Sequence, residues 1–237
     1  MRIIIADIDW TLSIQPLPDN MVHYCVNVHR QISGNCLIIS DGAGQEAEFT
    51  LLLQSDHWQI ERKSKVYRSD NVIPITLFCG LPKGDKLDRV TRQASELGIA
   101  KVVLLKMSHN VVQLEGKKAA KRLARLERVA LEAARQSERS RVLELTGVYE
   151  FSEGIQQAIS LDNAFYFHPG RSEILPSLDP TRSCGIFVGP EGGFSETECD
   201  QMSDAGIIQA HLGHTILRTE TASVAGIVAA LSKMGHL

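Results

Sequence analysis

The chain has 237 residues, a formal net charge of −3, 43% hydrophobic residues and 22% charged residues. This composition is typical of a globular protein and excludes a disordered chain, a collagen and a disulfide-stapled miniprotein. No apolar run approaches the ~20 residues that a membrane helix needs, so we expect no membrane segment. The five cysteines form no CxxC pair, and Asp7 and Asp9 interrupt any signal-peptide core, so we expect a reduced, cytoplasmic protein.

Charge is unevenly distributed along the chain. Residues 1–73 carry 6 basic and 9 acidic residues, residues 74–149 carry 15 and 8, and residues 150–237 carry 4 and 11. A basic middle segment between two acidic ones suggests a polyanionic partner. An exposed helix with many surface lysines explains the same counts, so charge alone leaves both interpretations open.

The first seventy residues have the pattern of a small β domain. Short runs rich in β-formers are separated by glycine-containing turns, and they lie at 3–5, 24–28, 36–39 and 48–53. This spacing predicts a small antiparallel barrel or sandwich. The polar stretch Ser69-Asp70-Asn71 and the following Pro74 indicate a boundary near residues 69–73. We therefore predict one domain over 1–70 and a second over 74–237.

The rest of the chain alternates between strand and helix patterns. Predicted strands lie at 75–79, 101–105, 142–145, 164–167, 184–188 and 207–211, and the clearest helices lie at 86–97, 117–139 and 219–234. Alternation of this kind predicts an α/β domain, with a mostly parallel sheet covered by helices on both faces.

A glycine-rich turn follows the predicted strand at 184–188. Gly189, Gly192 and Gly193 lack Cβ atoms, so a ligand can approach the backbone there, at the carboxyl end of a strand where open α/β sheets bind ligands. Ser195 and Glu198 have the spacing of a capping box. An ordinary strand-to-helix turn is the alternative interpretation. No Walker or GxGxxG pattern is present, so a nucleotide-phosphate enzyme is disfavoured.

A second candidate loop spans residues 212–222. It follows a predicted strand and precedes the last helix, which Thr219 is expected to cap. Arg218 is one of only four basic residues after position 149. Such an arginine is either an ion-pair partner, which the sequence alone favours, or a ligand for an anion.

The segment from 117 to 141 is strongly basic. It carries nine lysines and arginines, namely Lys117, Lys118, Lys121, Arg122, Arg125, Arg128, Arg135, Arg139 and Arg141. Phosphate binding needs such a density, although a solvated helix face produces it as well. The eight histidines have no metal-ligand spacing, so we expect no metal site.

These segments together resemble the RsmE family, SPOUT-class methyltransferases that modify N3 of a uridine in small-subunit ribosomal RNA. The resemblance is carried by GPEGGFS at 189–195, LGHTILRTETA at 212–222, KGDK at 83–86, QASELG at 93–98 and EAARQSER at 132–139. His23 and Arg30 resemble part of the family's N-terminal pattern.

The resemblance implies a fold, a cofactor and partners. The fold would be a PUA-like β-barrel followed by an α/β domain with a C-terminal trefoil knot. The cofactor would be S-adenosylmethionine, and the partners would be 16S ribosomal RNA or the 30S subunit and a second copy of the chain in a homodimer. The expected product is methylated N3 of the family's uridine 1498.

The resemblance also implies site residues. Those expected to bind the cofactor are Val188, Gly189, Pro190, Glu191, Gly192, Gly193, Leu212, Gly213, Ile216, Leu217, Arg218 and Thr219. Those expected to grip RNA are Arg30, Lys83, Lys86, Lys121, Arg122, Arg125 and Arg139. We expect Arg218 to stabilise the developing uracil anion or to steer its phosphate, and Glu191 to accept a proton or to orient the methyl donor.

The chain departs from the family at two informative positions. His109 and Thr215 stand where the family usually has arginines. Three readings are open: the same uridine with rearranged contacts, a paralogue with another RNA target, or a ribosome-associated RNA-binding protein that transfers methyl groups poorly.

Overall fold

The computed structural model of the chain describes residues 1–69, 72–169 and 175–237. It divides into two compact units, Met1–Asn71 with Ala134–Val142 and Val72–Ala133 with Leu143–Leu237. The predicted boundary near 69–73 lies partly outside the described residues, because positions 70 and 71 are not among them. The assignment of a domain to 1–70 and another to 74–237 stays a prediction.

The membership of residues 134–142 in the first unit was not expected from the sequence. Its cause is a set of hydrogen bonds between residues far apart in sequence. The Arg2 guanidinium donates to the Glu138 carbonyl at 2.8 Å, and the Ser40 hydroxyl donates to the Ser140 carbonyl. Gly42 also forms an isolated β-bridge with Arg141.

The first unit contains a six-stranded sheet. Its elements are β1 (Arg2–Ile4), β2 (Ile14–Pro16), α1 (Asp19–Val22), a π-helical stretch (His23–Val28), β3 (Cys36–Ser40), β4 (Gln45–Gln54), β5 (His57–Arg62) and β6 (Tyr67–Arg68). The order is β1-β3-β4-β5-β2, with β6 beside β4, and among the described residues of this unit only the β1–β3 pair is parallel. Within the described ranges β1 and β2 do not pair, so the sheet stays open. The predicted barrel is not confirmed.

One predicted strand of this unit is wrong. Residues 24–28 form the π-helical stretch that continues α1. Met21 and Cys25 are both buried whereas His23 between them is exposed, which fits the helical period, because a strand would place all three on one face. The helix begins directly after Pro18, with Asp19 in its first turn. The β-branched residues Val26 and Val28 do not outweigh that start.

The second unit is built on a six-stranded parallel sheet. Its strands are β7 (Ile73–Gly80), β8 (Ile99–Lys106), β9 (Glu144–Glu150), β10 (Asn163–Phe167), β11 (Cys184–Val188) and β12 (Ile208–Ala210). They lie in the order β12-β10-β11-β7-β8-β9. The predicted parallel α/β architecture is confirmed. Val102, Val103, Leu104 and Leu105 of β8 are all buried although successive residues face opposite sides, so both faces are covered there.

Helices alternate with these strands. They are α2 (Lys86–Glu96), α3 (Gly116–Gln136), α4 (Phe151–Ala158), α5 (Glu196–Asp204) and α6 (Thr219–Lys233). The basic helix ends at Gln136 rather than at 139 as predicted. In the core, the rings of Phe78 from β7 and Phe187 from β11 stack with centroids 4.4 Å apart. Because all six strands are parallel, the loops that follow them meet at one edge of the sheet.

A buried carboxylate holds α3 against α2. Asp88, whose side chain is 10% exposed, lies 2.6 Å from an Arg125 guanidinium nitrogen and 3.3 Å from one of Arg122. Arg122 also donates to the Gly84 carbonyl at 3.2 Å. Burial of a carboxylate is costly unless it is paired, so these contacts fix the position of the basic helix.

We expect Asp88→Asn to lower the free energy of unfolding by about 1–3 kcal/mol, because it leaves half-buried Arg122 without a counter-charge. Urea unfolding measures this difference. Asp85→Asn is the matched control: Asp85 pairs with Arg89, but its side chain is 64% exposed, so we expect a change within about 0.5 kcal/mol. Equal losses in the two variants would contradict the assignment.

Candidate functional site

A cavity of about 320 Å³ opens at the carboxyl ends of β10, β11 and β12. Its walls come from three loops, at 167–169, 188–194 and 211–217, together with Thr219 and Ala222 at the start of α6. The volume lies within the range of small-molecule sites, and the position is the one at which open α/β sheets bind ligands.

Eleven of the twelve predicted cofactor-binding residues line this cavity. They are Val188, Gly189, Pro190, Glu191, Gly192, Gly193, Leu212, Gly213, Ile216, Leu217 and Thr219. Arg218 is not among the lining residues. The two candidate loops are therefore brought together, although their role in binding a cofactor stays a prediction.

Seven lining residues were missed by sequence reasoning. They are Phe167, His168, Pro169, Phe194, His211, Thr215 and Ala222. A usable signal existed for the first three, because the run 164–167 was predicted as a strand and the residues after it had to reach the same sheet edge. Phe194, Thr215 and Ala222 lie within the two loop motifs that were already selected, and His211 directly precedes the second.

The three glycines of the glycine-rich loop at 188–194 are required for different structural reasons. Gly193 has φ +68°, where a side chain is strained, and its N–H donates to the Pro190 carbonyl at 2.9 Å. A Cβ on Gly192 would lie 2.7 Å from the Cβ of His109, and one on Gly189 would lie 3.0 Å from the Gly193 carbonyl carbon. The sequence allowed both positive φ and close approach of a ligand at these glycines; Gly193 has positive φ, whereas Gly189 and Gly192 are required by packing around the loop itself.

The predicted capping box at the start of α5 is confirmed. The Ser195 hydroxyl accepts from the Glu198 N–H at 3.2 Å, and Glu198 Oε2 accepts from the Ser195 N–H at 2.8 Å. Glu198 is buried, and its Oε1 accepts from the Ser108 N–H at 2.7 Å. The same carboxyl group thus fixes the glycine-rich loop and the loop after β8.

The predicted cap at Thr219 is wrong. Arg218 is the N-cap residue of α6, and Thr219 is the first helical residue. Thr219 is buried, and within the described ranges its Oγ1 has no hydrogen-bond partner. A buried hydroxyl without a partner is costly. Thr219 lines the cavity, whereas its Oγ1 is itself shielded from solvent.

Glu191 is held by two donors from the start of α2. Its Oε1 accepts from the Lys86 ammonium at 2.7 Å and from the Lys83 N–H at 3.0 Å. Partial burial raises the pKa of Glu191, but the hydrogen bond from Lys86 and the backbone donors outweigh it, so the pKa lies below the ordinary value. The group is therefore ionised and weakly basic.

Arg218 presents a free cation beside the cavity. Its side chain is exposed, and no described residue gives it an ion pair or a hydrogen bond. The ion pair that the sequence favoured is not found in the described part of the chain. Because Leu217 and Thr219 on either side line the cavity, the backbone of Arg218 lies at its rim.

The predicted RNA-binding cations fall into two groups. Arg30, Lys83, Lys121 and Arg125 are exposed, but the Arg125 guanidinium is also paired with the Asp88 carboxylate at 2.6 Å. Lys86, Arg122 and Arg139 are only partly exposed: Lys86 is paired with Glu191 and Arg122 with Asp88, so these two are committed to contacts within the chain. Arg139 lies in the first unit, where burial, and next the charge of Arg141, lowers its pKa to about 10.

Buried thiols provide no nucleophile at the sheet. Burial raises the pKa of Cys79 on β7 and of Cys184 on β11 to about 12 each. Both are therefore protonated at neutral pH and unreactive. The described ranges contain no group of three or more acidic, histidine or cysteine side chains that could hold a metal ion. In those same ranges, no helix is both long and apolar enough to cross a bilayer.

Comparison with known proteins identifies the family. Residues 69–232 match the model of the RNA methyltransferase domain. Ribosomal RNA small subunit methyltransferase E of Bacillus subtilis is 33% identical over 219 residues, which cover 85% of this chain and 83% of that protein. The chain belongs to the RsmE family. The resemblance deduced from the loop motifs is thereby confirmed.

Other RsmE proteins agree in sequence and in fold. The Mycobacterium bovis enzyme is 27% identical, over 86% of this chain and 80% of that protein. The crystal structure of the Neisseria gonorrhoeae enzyme bound to S-adenosylmethionine superposes with a TM-score of 0.83 at 28% identity, and the match covers 98% of this chain and 96% of the other.

We expect the stabilising effect of the Glu191–Lys86 pair to depend on pH. At neutral pH, Glu191→Gln should lower the free energy of unfolding by about 0.5–1 kcal/mol. Because the folded pKa of Glu191 is depressed, the pair stabilises the protein above the unfolded carboxyl's pKa, and this is lost as pH falls through the folded pKa. The difference between wild type and variant should therefore shrink below pH 4.5, the ordinary value.

Urea unfolding at several pH values measures this difference. Lys86→Gln and the double variant complete a double-mutant cycle, whose coupling energy should fall in parallel. A difference that stays constant across this pH range would contradict the prediction.

Proposed function

We propose that this chain transfers a methyl group from S-adenosylmethionine to N3 of a uridine in 16S ribosomal RNA, the family's uridine 1498. Membership of the RsmE family carries the proposal, together with the cavity formed by the two loops that bear the family motifs. The N3 proton is lost to solvent, the N3–methyl bond forms as the sulfur–methyl bond in line with it breaks, and S-adenosylhomocysteine leaves, so positioning is the main task of the site.

The residues around the cavity suit a sulfonium donor. S-adenosylmethionine supplies an electrophilic methyl group, and its adenine edge and ribose hydroxyls need hydrogen-bond partners rather than a phosphate cradle. The backbone groups of the 188–194 and 211–217 loops provide such partners. The apolar walls include Val188, Leu212 and Leu217, which exclude water from the reacting centre.

In this proposal Arg218 contacts the uracil base of the substrate. Deprotonation of the imide leaves a negative charge spread over N3 and the flanking carbonyl oxygens, and a guanidinium can donate two parallel hydrogen bonds to such a group. The free guanidinium at the rim of the cavity supports this assignment, and it also suits contact with the nucleotide's phosphate.

Glu191 is assigned an orienting role. Of the two roles expected from the sequence, proton acceptance requires a basic carboxylate with free lone pairs. The depressed pKa of Glu191 and its contacts with Lys86 and the Lys83 N–H support the other role. In this assignment the ion pair holds the glycine-rich loop against α2, and the loop in turn orients the donor.

RNA is held by exposed cations. Lys117 and Lys121, four residues apart on α3, are exposed and lie in one row on the helix surface, and Arg125 continues the row although it is paired with Asp88. Such a row suits consecutive phosphates and carries no sequence information. Lys83 and Arg30 add exposed charge in the second and first units.

The remaining expectations of the family are part of the same proposal. They are a PUA-like role in RNA binding for the first unit, a trefoil knot at the C-terminal end, a homodimer, a cytoplasmic location and a 30S substrate. Ile216, which is 87% exposed beside the cavity, supports the homodimer, because a second subunit would cover this apolar side chain.

A second candidate is an RNA-binding paralogue with another target or little transferase activity. It is favoured by the two positions where the family usually has arginines. Thr215 lines the cavity but is uncharged, and the His109 ring is hydrogen-bonded to the Gly192 carbonyl. The first experiment below distinguishes the two candidates, because it tests whether the small subunit is methylated and at which nucleotide.

We expect micromolar binding of S-adenosylmethionine by calorimetry and methylation of small subunits isolated from a strain that lacks the modification. Arg218→Ala should lower the methylation rate about 10²-fold at saturating donor and leave donor affinity within about twofold, because it removes a charge that acts on the uracil anion. The control is Arg182→Ala, another exposed arginine of the second unit, whose ion pairs are with Asp162 and Asp179.

Mass mapping of the product locates the methyl group. Donor binding with methylation elsewhere, or with none, favours the paralogue. A wild-type rate in Arg218→Ala would remove its proposed role.

The row on α3 predicts a defined salt dependence of RNA binding. Lys121→Ala should weaken binding of ribosomal RNA fragments irrespective of sequence and reduce the slope of log affinity against log salt by about 1. Filter binding at several salt concentrations measures the slope. Lys233→Ala removes an equal, exposed charge from α6 and should leave it unchanged. Identical slopes for Lys121→Ala and wild type would contradict the assignment.

A further inference from the structure

The loop after β8, Met107–Asn110, contacts the glycine-rich loop through His109. The imidazole Nδ1 lies 2.9 Å from the Gly192 carbonyl oxygen and 3.3 Å from that of Gly193. A carbonyl oxygen only accepts, so Nδ1 carries the proton in this contact. His109 is not itself among the residues that line the cavity.

The two loops are also interlocked sterically. A Cβ built on Gly192 would lie 2.7 Å from the His109 Cβ and 3.2 Å from its Cγ. Only a glycine permits this approach, and the approach brings the Gly192 and Gly193 carbonyls within reach of the ring. The absent side chain at 192 and the imidazole at 109 are therefore parts of one contact.

His109 projects from a well-anchored support. The Ser108 N–H donates to the buried Glu198 carboxyl group at 2.7 Å. Asn110 donates to the Leu105 carbonyl at 3.0 Å and accepts from the Leu81 N–H at 3.0 Å. The residues on both sides of His109 are thus hydrogen-bonded to other parts of the unit. The ring is therefore held in place and can restrain the glycine-rich loop.

We infer that His109 is a positioning residue, which holds the Gly192–Gly193 backbone in the conformation that forms the donor-binding wall. This inference rests on the proposed function and adds a role for a side chain that does not touch the donor. It also accounts for a histidine at a position where the family usually has arginine, because the ring faces the protein's own loop instead of an external ligand.

The expected effect is on donor binding rather than on the reaction. Without the Nδ1–H bond, the 192–193 peptide group keeps only the hydrogen bond from the Gly193 N–H to the Pro190 carbonyl, so the loop is less ordered and must be ordered further when the donor binds. Ordering a backbone segment costs free energy, so affinity falls. Once the donor is bound, the loop is ordered again and the rate at saturation is preserved.

Three substitutions separate the hydrogen bond from the bulk of the ring. His109→Asn keeps an N–H donor at the same number of bonds from the backbone as Nδ1, His109→Gln moves it to the position of Nε2, and His109→Ala removes it. Alanine and glutamine should raise the dissociation constant and the KM for S-adenosylmethionine about 3- to 10-fold with kcat within about twofold. Asparagine should restore wild-type values within about twofold, and His236→Ala, at an exposed histidine near the C-terminus, should match wild type.

Calorimetry gives the dissociation constants, and hydrogen exchange of the unliganded protein reports on the loop directly. The amides of residues 189 and 191–194 should exchange faster in the alanine and glutamine variants than in wild type and the asparagine variant. Equal donor affinity in all variants, or an asparagine variant as weak as alanine, overturns the inference. Failure of wild type to bind the donor instead overturns the proposed function, and exchange in the unliganded protein still decides whether His109 holds the loop.

Discussion

The candidate site depends on one buried carboxyl group, that of Glu198. It accepts hydrogen bonds from the Ser195 N–H, the Ser195 hydroxyl and the Ser108 N–H, at 2.8, 3.1 and 2.7 Å. A carboxyl group removed from water must have such donors, so the glycine-rich loop, the start of α5 and the loop after β8 are held in one arrangement. The wall of the cavity and the support of His109 both follow from it. Shape at this edge of the sheet is thus fixed by polar contacts that are themselves shielded from water.

The features that could be predicted from the sequence are those that depend on neighbouring residues. The Ser195–Glu198 box follows from a spacing of three residues, and the buried strand β11 follows from a short apolar run. The rule that ligands bind at the carboxyl ends of parallel strands then located the cavity. Predictions from neighbouring residues failed where two such rules favoured different residues for the same position. Thr219 is a good cap by residue type, but Arg218 has the extended backbone of the N-cap, so the threonine hydroxyl is buried at the cavity instead.

The features that could not be predicted involve residues distant in the chain. Lys86 and Arg122 look like other surface cations in a basic segment, yet their partners are Glu191, 105 residues away, and Asp88 on another helix. Gly192 looked like an opening for a ligand until its contact with His109, 83 residues away, was seen. The charge density and glycine content of a segment give only the number of cations and glycines that it contains. Only the tertiary fold determines which cations stay available to an external polyanion and which neutralise internal carboxylates.

The exposure of Arg218 is consistent with a role that operates only in the complex with RNA. In water, the attraction between a guanidinium and a neighbouring unit charge is about 1 kcal/mol at 4 Å, which is too little to stabilise a uracil anion strongly. The same pair is several-fold stronger once water is displaced. Arg218 begins α6 at the rim of the cavity, so a base that enters there would cover both the guanidinium and the cavity mouth. Docking of RNA by distant cations would thus raise the effect of Arg218 without moving it, which couples recognition of the substrate to the stabilisation of its reactive form.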